Sequence, residues 1–455
     1  MLNKLRAVDN NLSPGLRKII RNIGWLSAER LLSMIISFVV GVYVIRYLGS
    51  ESFGKLSYSS SFVALFAAIA KLGLDKIVVR NLVKQKNLTG EILGTAIILK
   101  FIGSLVAISL IGVTIWHSSD DIQIILMTFI IASSLMFQSF DVLDLWFKSQ
   151  VLSKSIVIVR SSQFIISSLA KLSFIFFKLP LMMFAYLLLV DSIIRAVGMT
   201  AIYIKQNQCR SKWKFKKSSA INLLKDSWPL IISSVMVTLY MKIDQVMLGN
   251  MSNSQEVGNY AAAVRFSEIW YFIPTAVSTS VFPSIIKAKQ KSEKEYYTKL
   301  QQLYDLMAWM SLTVAIPMSF ISTHFMTVLL GQEYVKSGQI LSVHIWSGLF
   351  VFLGVARSQW LMAENFTRFS LISTSLGALS NIFLNFILIP EQGGMGAAIA
   401  TLISQAVASY LVCLFYPPTF NTGKMLTKAL LIPWRIKQNI AYINGFKKTF
   451  LSKIF

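Results

Sequence analysis

The residues best able to do chemistry in this chain are charged side chains placed inside long apolar stretches. Nine cations stand three or more residues inside them: Arg30, Lys71, Lys100, Arg160, Lys171, Arg195, Lys242, Arg265 and Arg357. Each costs on the order of 2.5–3.5 kcal/mol at the centre of a membrane helix, so together they are not expected to face lipid. Arg30, Lys171, Lys242 and Arg265 sit deepest, and polar residues recur at helical spacing along these stretches. Arg30, Ser33 and Ser37 share a face, as do Arg160, Gln163, Ser167 and Lys171. A third stripe joins Ser134, Gln138 and Asp141, with Asp144 beside them. Interhelical hydrogen bonding explains the serines better than the lysines, whereas a wet, net-cationic cavity explains both. The guest of such a cavity would be an anion of the phosphate or carboxylate type. The candidate binding cations are Arg30, Arg265, Lys171, Lys242 and Arg357. Lys71, Lys100, Arg160 and Arg357 also lie close enough to a helix end to snorkel.

The same stretches hold the acids Glu29, Asp141, Asp144, Asp191, Asp244 and Glu268. Asp244, Glu268, Asp141 and Asp144 are candidates for carrying a coupling proton or sodium ion, or for neutralising a neighbouring cation. Glu268 follows Arg265 by three positions, Glu29 adjoins Arg30, and Arg195 follows Asp191 by four, the favourable helical pairing. Beyond a coupling ion no cofactor is expected. Cys209 and Cys413, and the histidines His117, His324 and His344, lack ligand spacing. With no catalytic constellation or nucleotide loop, the chain does not read as an enzyme.

The elements that position these groups are membrane helices. Of 455 residues, 55% are hydrophobic and only 14% charged, and the mean hydropathy is +0.61. A soluble chain could not hide so much apolar surface. Apolar runs of the length that crosses a bilayer fall at roughly 24–48, 54–74, 93–116, 122–147, 156–178 and 180–204, then 226–249, 258–286, 302–325, 339–363, 366–389 and 394–417. About twelve transmembrane helices and an all-α integral membrane fold are expected.

The net charge of +24 follows the connectors. Basic ones carry Lys76, Arg80, Lys84 and Lys86, or Lys205 through Lys217, or Lys287 through Lys299. The alternate connectors hold His117, Asp120 and Asp121, then Glu256, then Glu333 with Lys336, then Glu391. The positive-inside rule then places both termini in the cytoplasm, and the basic charge calls for no nucleic acid. The basic N-terminal stretch predicts that the first span serves as its own targeting signal rather than a cleaved one.

Self-comparison finds YLGSESFGKLSYSSSF at 47–62 answered by MLGNMSNSQEVGNYAAAVRF at 247–266, one half-chain apart. In each, Leu-Gly (Gly49, Gly249) closes one helix and a second glycine (Gly54, Gly258) opens the next. Two six-helix lobes around a central cavity are expected: 1–204, a cytoplasmic basic linker 205–225, a second lobe 226–417, and a basic tail 418–455. The tail is either an amphipathic segment on anionic membrane lipids or disordered. Pro229, Pro274, Pro283 and Pro317 are candidate kinks.

Four stretches carry a family resemblance: RYLGSESFGKLSY (46–58), KIDQVMLGNMSNSQEVGNYAAAVRFSE (242–268), IPTAVSTSVFPSI (273–285) and SNIFLNFILIPEQGGMGAAIATLIS (380–404). They resemble the polysaccharide-transport branch of the multidrug/oligosaccharidyl-lipid/polysaccharide exporter superfamily, most of all the O-antigen flippases of the Wzx type. The resemblance implies a bacterial inner-membrane flippase that moves an undecaprenyl-pyrophosphate-linked oligosaccharide from the cytoplasmic to the periplasmic leaflet by alternating access. It further implies that Arg30 and Arg265, on the first and eighth helices, meet the pyrophosphate, and that Asp244 belongs to the family's seventh helix. Polysaccharide polymerase or assembly proteins are the partners it suggests. A multidrug antiporter of the same superfamily would prefer an acidic cavity. A membrane-embedded polymerase or ligase would need a large outer loop, and no outer connector here exceeds roughly 15 residues.

Overall fold

In the computed structural model, residues 14–206, 213–440 and 442 are described. The chain is helical throughout these residues and forms two compact units, Met1–Val246 and Met247–Phe455. Among the described residues, nine helices are long and apolar enough to cross a membrane, and the bent pair Gln332–His344 with Ser347–Ala363 makes a tenth. The first two expected spans occupy the arms of α1 (Pro14–Lys71), which break at Gly49. There the backbone reaches φ 69° and ψ 171°, a conformation open to glycine and strained for residues with a Cβ. The sequence echo at Gly249 does not extend to this geometry. Gly249 lies within a continuous helix that runs to Met251, and the break follows at Ser252–Asn253.

The first unit continues with α2 (Leu74–Lys84), α3 (Thr89–Ser118), α4 (Ile122–Gln138), α5 (Val142–Ser149), α6 (Ser153–Phe176), α7 (Leu181–Lys205) and α8 (Lys217–Met251), whose last residues pass into the second unit. The basic connector holding Lys76 and Arg80 is itself the amphipathic helix α2. Its Leu74, Ile77, Val78 and Leu82 recur at helical spacing and are buried, while Asp75, Lys76 and Arg80 face outward. Each such burial contributes about 1.5–3 kcal/mol. Those side chains pack with Leu93 and Leu99 of α3, Trp146 and Phe147 of α5, and Met199 and Tyr203 of α7. The expected linker is likewise structured where described: Lys214 N donates to Gly90 O at 3.2 Å, and Lys216 pairs with Glu91 at 3.3 Å. At the connector between α3 and α4, Asp121 caps α4 by accepting from Gln123 N at 2.8 Å and pairs with Lys55 at 2.8 Å. Burial works against its charge, but the bonds from Lys55 and Gln123 prevail and hold its carboxyl below the ordinary range.

The second unit contains α9 (Ser254–Glu268), α10 (Phe272–Lys291), α11 (Glu293–Leu330), α12 (Val335–His344), α13 (Ser347–Ala363), α14 (Thr367–Gln392), α15 (Gly394–Ala406), α16 (Val412–Phe415) and α17 (Phe420–Leu430). Its core joins Tyr304 and Met307 of α11 to Phe352 and Leu353 of α13 and to Met425 and Leu426 of α17. The described part of the tail therefore packs into protein through α17. Arg435 clasps both oxygens of buried Asp305 at 3.0 and 3.1 Å, and Tyr442 donates to the same carboxylate at 2.7 Å. The helices run on through Pro229, Pro283 and Pro317. The bent pair, by contrast, turns by 44° at a break that holds no proline, between His344 and Ser347.

One close approach organises the first unit. Gly73, left-handed at φ 59°, precedes α2 and lets the backbone of α8 pass at Leu230 and Ile231. A Cβ there would stand 2.8 Å from Ile231 N. Gly73→Ala is expected to lower unfolding free energy by about 1–2 kcal/mol from the left-handed backbone alone. Thermal unfolding in detergent measures this, with Gly24→Ala as the control for which no loss is expected, since it lies exposed inside α1, meets nothing within 4 Å and gains up to about 1 kcal/mol of helix propensity.

Candidate functional site

The first unit holds two neighbouring recesses. The larger, of about 480 Å³, lies between the second arm of α1, the start of α2 and the middle of α8. Ala64, Ala67, Ala68 and Lys71 line it from one helical face, and Leu230, Ser233, Ser234, Val237 and Thr238 from another. Both sets follow the three- and four-residue spacing of a single face. Small side chains leave the groove open, and Lys71, Asp75 and Lys76 gather at one end. Among the described residues Ser233 and Ser234 have no side-chain hydrogen bond, whereas Thr238 donates to Ser234 O at 2.8 Å. The groove therefore offers two ammonium groups, available hydroxyls and an apolar wall, the complement of an amphiphile with an anionic, hydroxyl-bearing head.

The smaller cavity, of about 140 Å³, is walled almost entirely by charge. Lys71, Lys100, Lys148, Arg160 and Arg195 meet Asp75, Asp141 and Asp144 there, leaving two positive charges in excess. Lys100, 4% exposed, donates to Asp75 Oδ1 at 2.5 Å. Asp144 Oδ2 accepts from Arg160 Nη2 and from Lys148 Nζ, each at 2.8 Å. Among the described residues Asp141 has no ion-pair partner within 4.0 Å, although Arg195, Lys100, Asp144 and Lys71 all act on it electrostatically. Lys71 and Asp75 line both recesses.

The structure thus collects Asp141 and Asp144 with cations that looked, along the chain, like snorkelling or locally paired residues. The expected Asp191–Arg195 pair does not form. Asp191 accepts from Ser167 at 2.8 Å and Arg195 donates to Gln163 at 3.4 Å, because α6 brings its polar stripe against α7. Arg357 is also placed otherwise than expected. It is 5% exposed in the core of the second unit, donating to Cys413 Sγ at 3.2 Å and Ser373 Oγ at 3.3 Å, and lines no described recess. Arg30 and Arg265 are exposed, Lys171, Lys242 and Glu268 half-buried, and Asp244 buried, and none of the six joins the two recesses. Sequence reasoning passed over Lys71 and Lys76 as binding groups. Their signal was the small-residue face Ala64, Ala67, Ala68, which ends in Lys71.

The family model described as polysaccharide biosynthesis protein matches residues 19–289, more than half of the chain. The chain belongs to that family. A second model, described as MatE, matches residues 229–387. A putative O-antigen transporter of Shigella dysenteriae is 22% identical over 377 residues, covering 81% of this chain and 93% of that protein. A probable flippase of Haloferax volcanii is 26% identical over 275 residues, covering 57% of this chain and 54% of its own length. A solved structure titled lipid II flippase MurJ, inward closed conformation, shares the fold at a TM-score of 0.66 and 16% identity, over 90% of this chain and 93% of that one. The chain is a multi-pass membrane transporter of the multidrug/oligosaccharidyl-lipid/polysaccharide exporter superfamily.

Asp144 is the keystone of the smaller cavity. Asp144→Asn leaves Arg160 and Lys148 without their shared carboxylate and is expected to cost on the order of 2 kcal/mol, less than a fully buried pair because Arg160 is 35% exposed. Chemical or thermal unfolding of the purified variant measures the loss, and Asp144→Asn with Arg160→Gln should recover part of it.

Proposed function

We propose that this protein flips lipid-linked oligosaccharides, with the phosphate-bearing head of the lipid held at the Lys71 end of the first unit's groove. The observation that carries this reading is the groove itself: two lysines, open serine hydroxyls and a small apolar wall in one recess. Lysine ammonium groups suit a phosphate oxygen, the hydroxyls suit a sugar, and the prenyl chain can remain in hydrocarbon. Relatives named O-antigen transporter and flippase support the same substrate class. The finer reading is an undecaprenyl pyrophosphate carrier in a bacterial inner membrane. It moves from the cytoplasmic to the periplasmic leaflet by alternating access, with both termini cytoplasmic and the repeat unit passed on to polymerase or assembly proteins. Arg30 and Arg265 remain candidates for contacts along the path, since both side chains are exposed on deep helical positions.

Complementation tests the reading. In a strain lacking its flippase but making a matching repeat unit, the wild-type gene should restore surface polymer. Lys71→Ala combined with Lys76→Ala, at equal membrane abundance, should lower polymer by at least about tenfold, the effect of losing roughly 1.4 kcal/mol at the anion, and should trap the lipid-linked intermediate in the inner leaflet. Full polymer from the double variant would remove the groove from the pathway. Drug resistance in place of polymer from the wild type would favour an antiporter.

A further inference from the structure

We propose that the charged cavity of the first unit is the coupling-ion site, that the ion is a proton carried by Asp141, and that Lys71 is shared between this site and the groove. The inference rests on the reading of the groove as an anion site. Of the three carboxylates in the cavity, Asp75 is held by Lys100, and Asp144 by Lys148 and Arg160. Asp141, on the short turn Ser139–Asp141 between α4 and α5, is the one with no ion-pair partner within 4.0 Å among the described residues.

The groups around that turn decide which ion it takes. Of the elements packed on it, α3 brings Lys100, α4 brings neutral Gln138, α5 brings Asp144 and Lys148, and α7 brings Arg195, its Asp191 being bonded to Ser167 of α6. Lys71 of α1, Asp75 of α2 and Arg160 of α6 complete the wall. Sodium would need several free oxygen ligands and would meet an excess of positive charge. A proton needs one carboxylate.

The connection to the groove is Lys71, an exposed side chain at the end of α1 that lines both recesses. Ionised Asp141 draws the Lys71 ammonium toward the cavity and repels an anion beyond it. Protonated Asp141 does neither and leaves Lys71 to the phosphate. Protonation of Asp141 and anion binding therefore strengthen one another, and linkage makes the effect reciprocal.

The test uses the full-length protein in nanodiscs of zwitterionic lipid, with geranyl pyrophosphate as the probe. Between about pH 8 and about pH 5.5, wild-type affinity should rise about fivefold or more relative to Asp141→Asn, a typical size for site coupling. The variant shares any change in the probe's own ionisation but lacks the titrating carboxyl, so it should match the wild type at about pH 5.5 and exceed it at about pH 8. Lys71→Ala, at an exposed position, should bind weakly and lose the same pH dependence. Parallel profiles for the wild type and Asp141→Asn overturn the proposal. The infrared difference spectrum between acidic and neutral samples reads the proton without the probe: a protonated-carboxyl band should vanish in Asp141→Asn and persist in Asp144→Asn. If the probe fails to bind at any pH, the groove reading falls, and absence of the Asp141 band then overturns the proton site independently.

Discussion

The constraint on which the rest of this structure depends is the cost of an ionised side chain in hydrocarbon. A chain with 55% hydrophobic residues has ample material for membrane helices. Nine cations three or more residues inside its expected spans demand partners or water. In the first unit the solution is collective: charges from α1, α2, α3, α5, α6 and α7 converge on one small cavity. Asp144 there serves two cations at once, and Lys100 reaches out of the packed core to Asp75. In the second unit it is individual. Arg357 is buried beside a thiol and a hydroxyl, while Asp305 fixes the chain near Arg435 and Tyr442.

This difference sets how much was legible in the sequence. The membrane spans and the all-helical class follow from hydropathy over windows of about 20 residues, a local property. The amphipathic helices α2 and α17 were hidden because cations on their outer faces make them resemble a basic connector and a basic tail. Their apolar faces have meaning only against α3, α5 and α7 in one case and α11 and α13 in the other.

The site was less legible still. Asp191 and Arg195 have ideal spacing for a helical pair, yet residues of α6 compete for both side chains. Arg357 carries the same one-dimensional signature as a cavity cation, and only packing separates the two. Lys71 looked like a residue at a helix end. Its position between a groove and a cavity depends on Gly73, whose left-handed backbone admits α8 at close range. Glycines leave a trace in sequence, but what passes beside them does not.

The central claim is that the α1–α8 groove is a water-accessible anion site within a membrane unit. Thiol accessibility at Ser234→Cys, in a Cys209→Ser background that retains buried Cys413, measures it most directly. The account predicts rapid reaction with a small anionic thiol reagent, slowed by geranyl pyrophosphate and insensitive to an uncharged prenyl alcohol. An inert cysteine, or one that the alcohol protects as well as the pyrophosphate does, would contradict it.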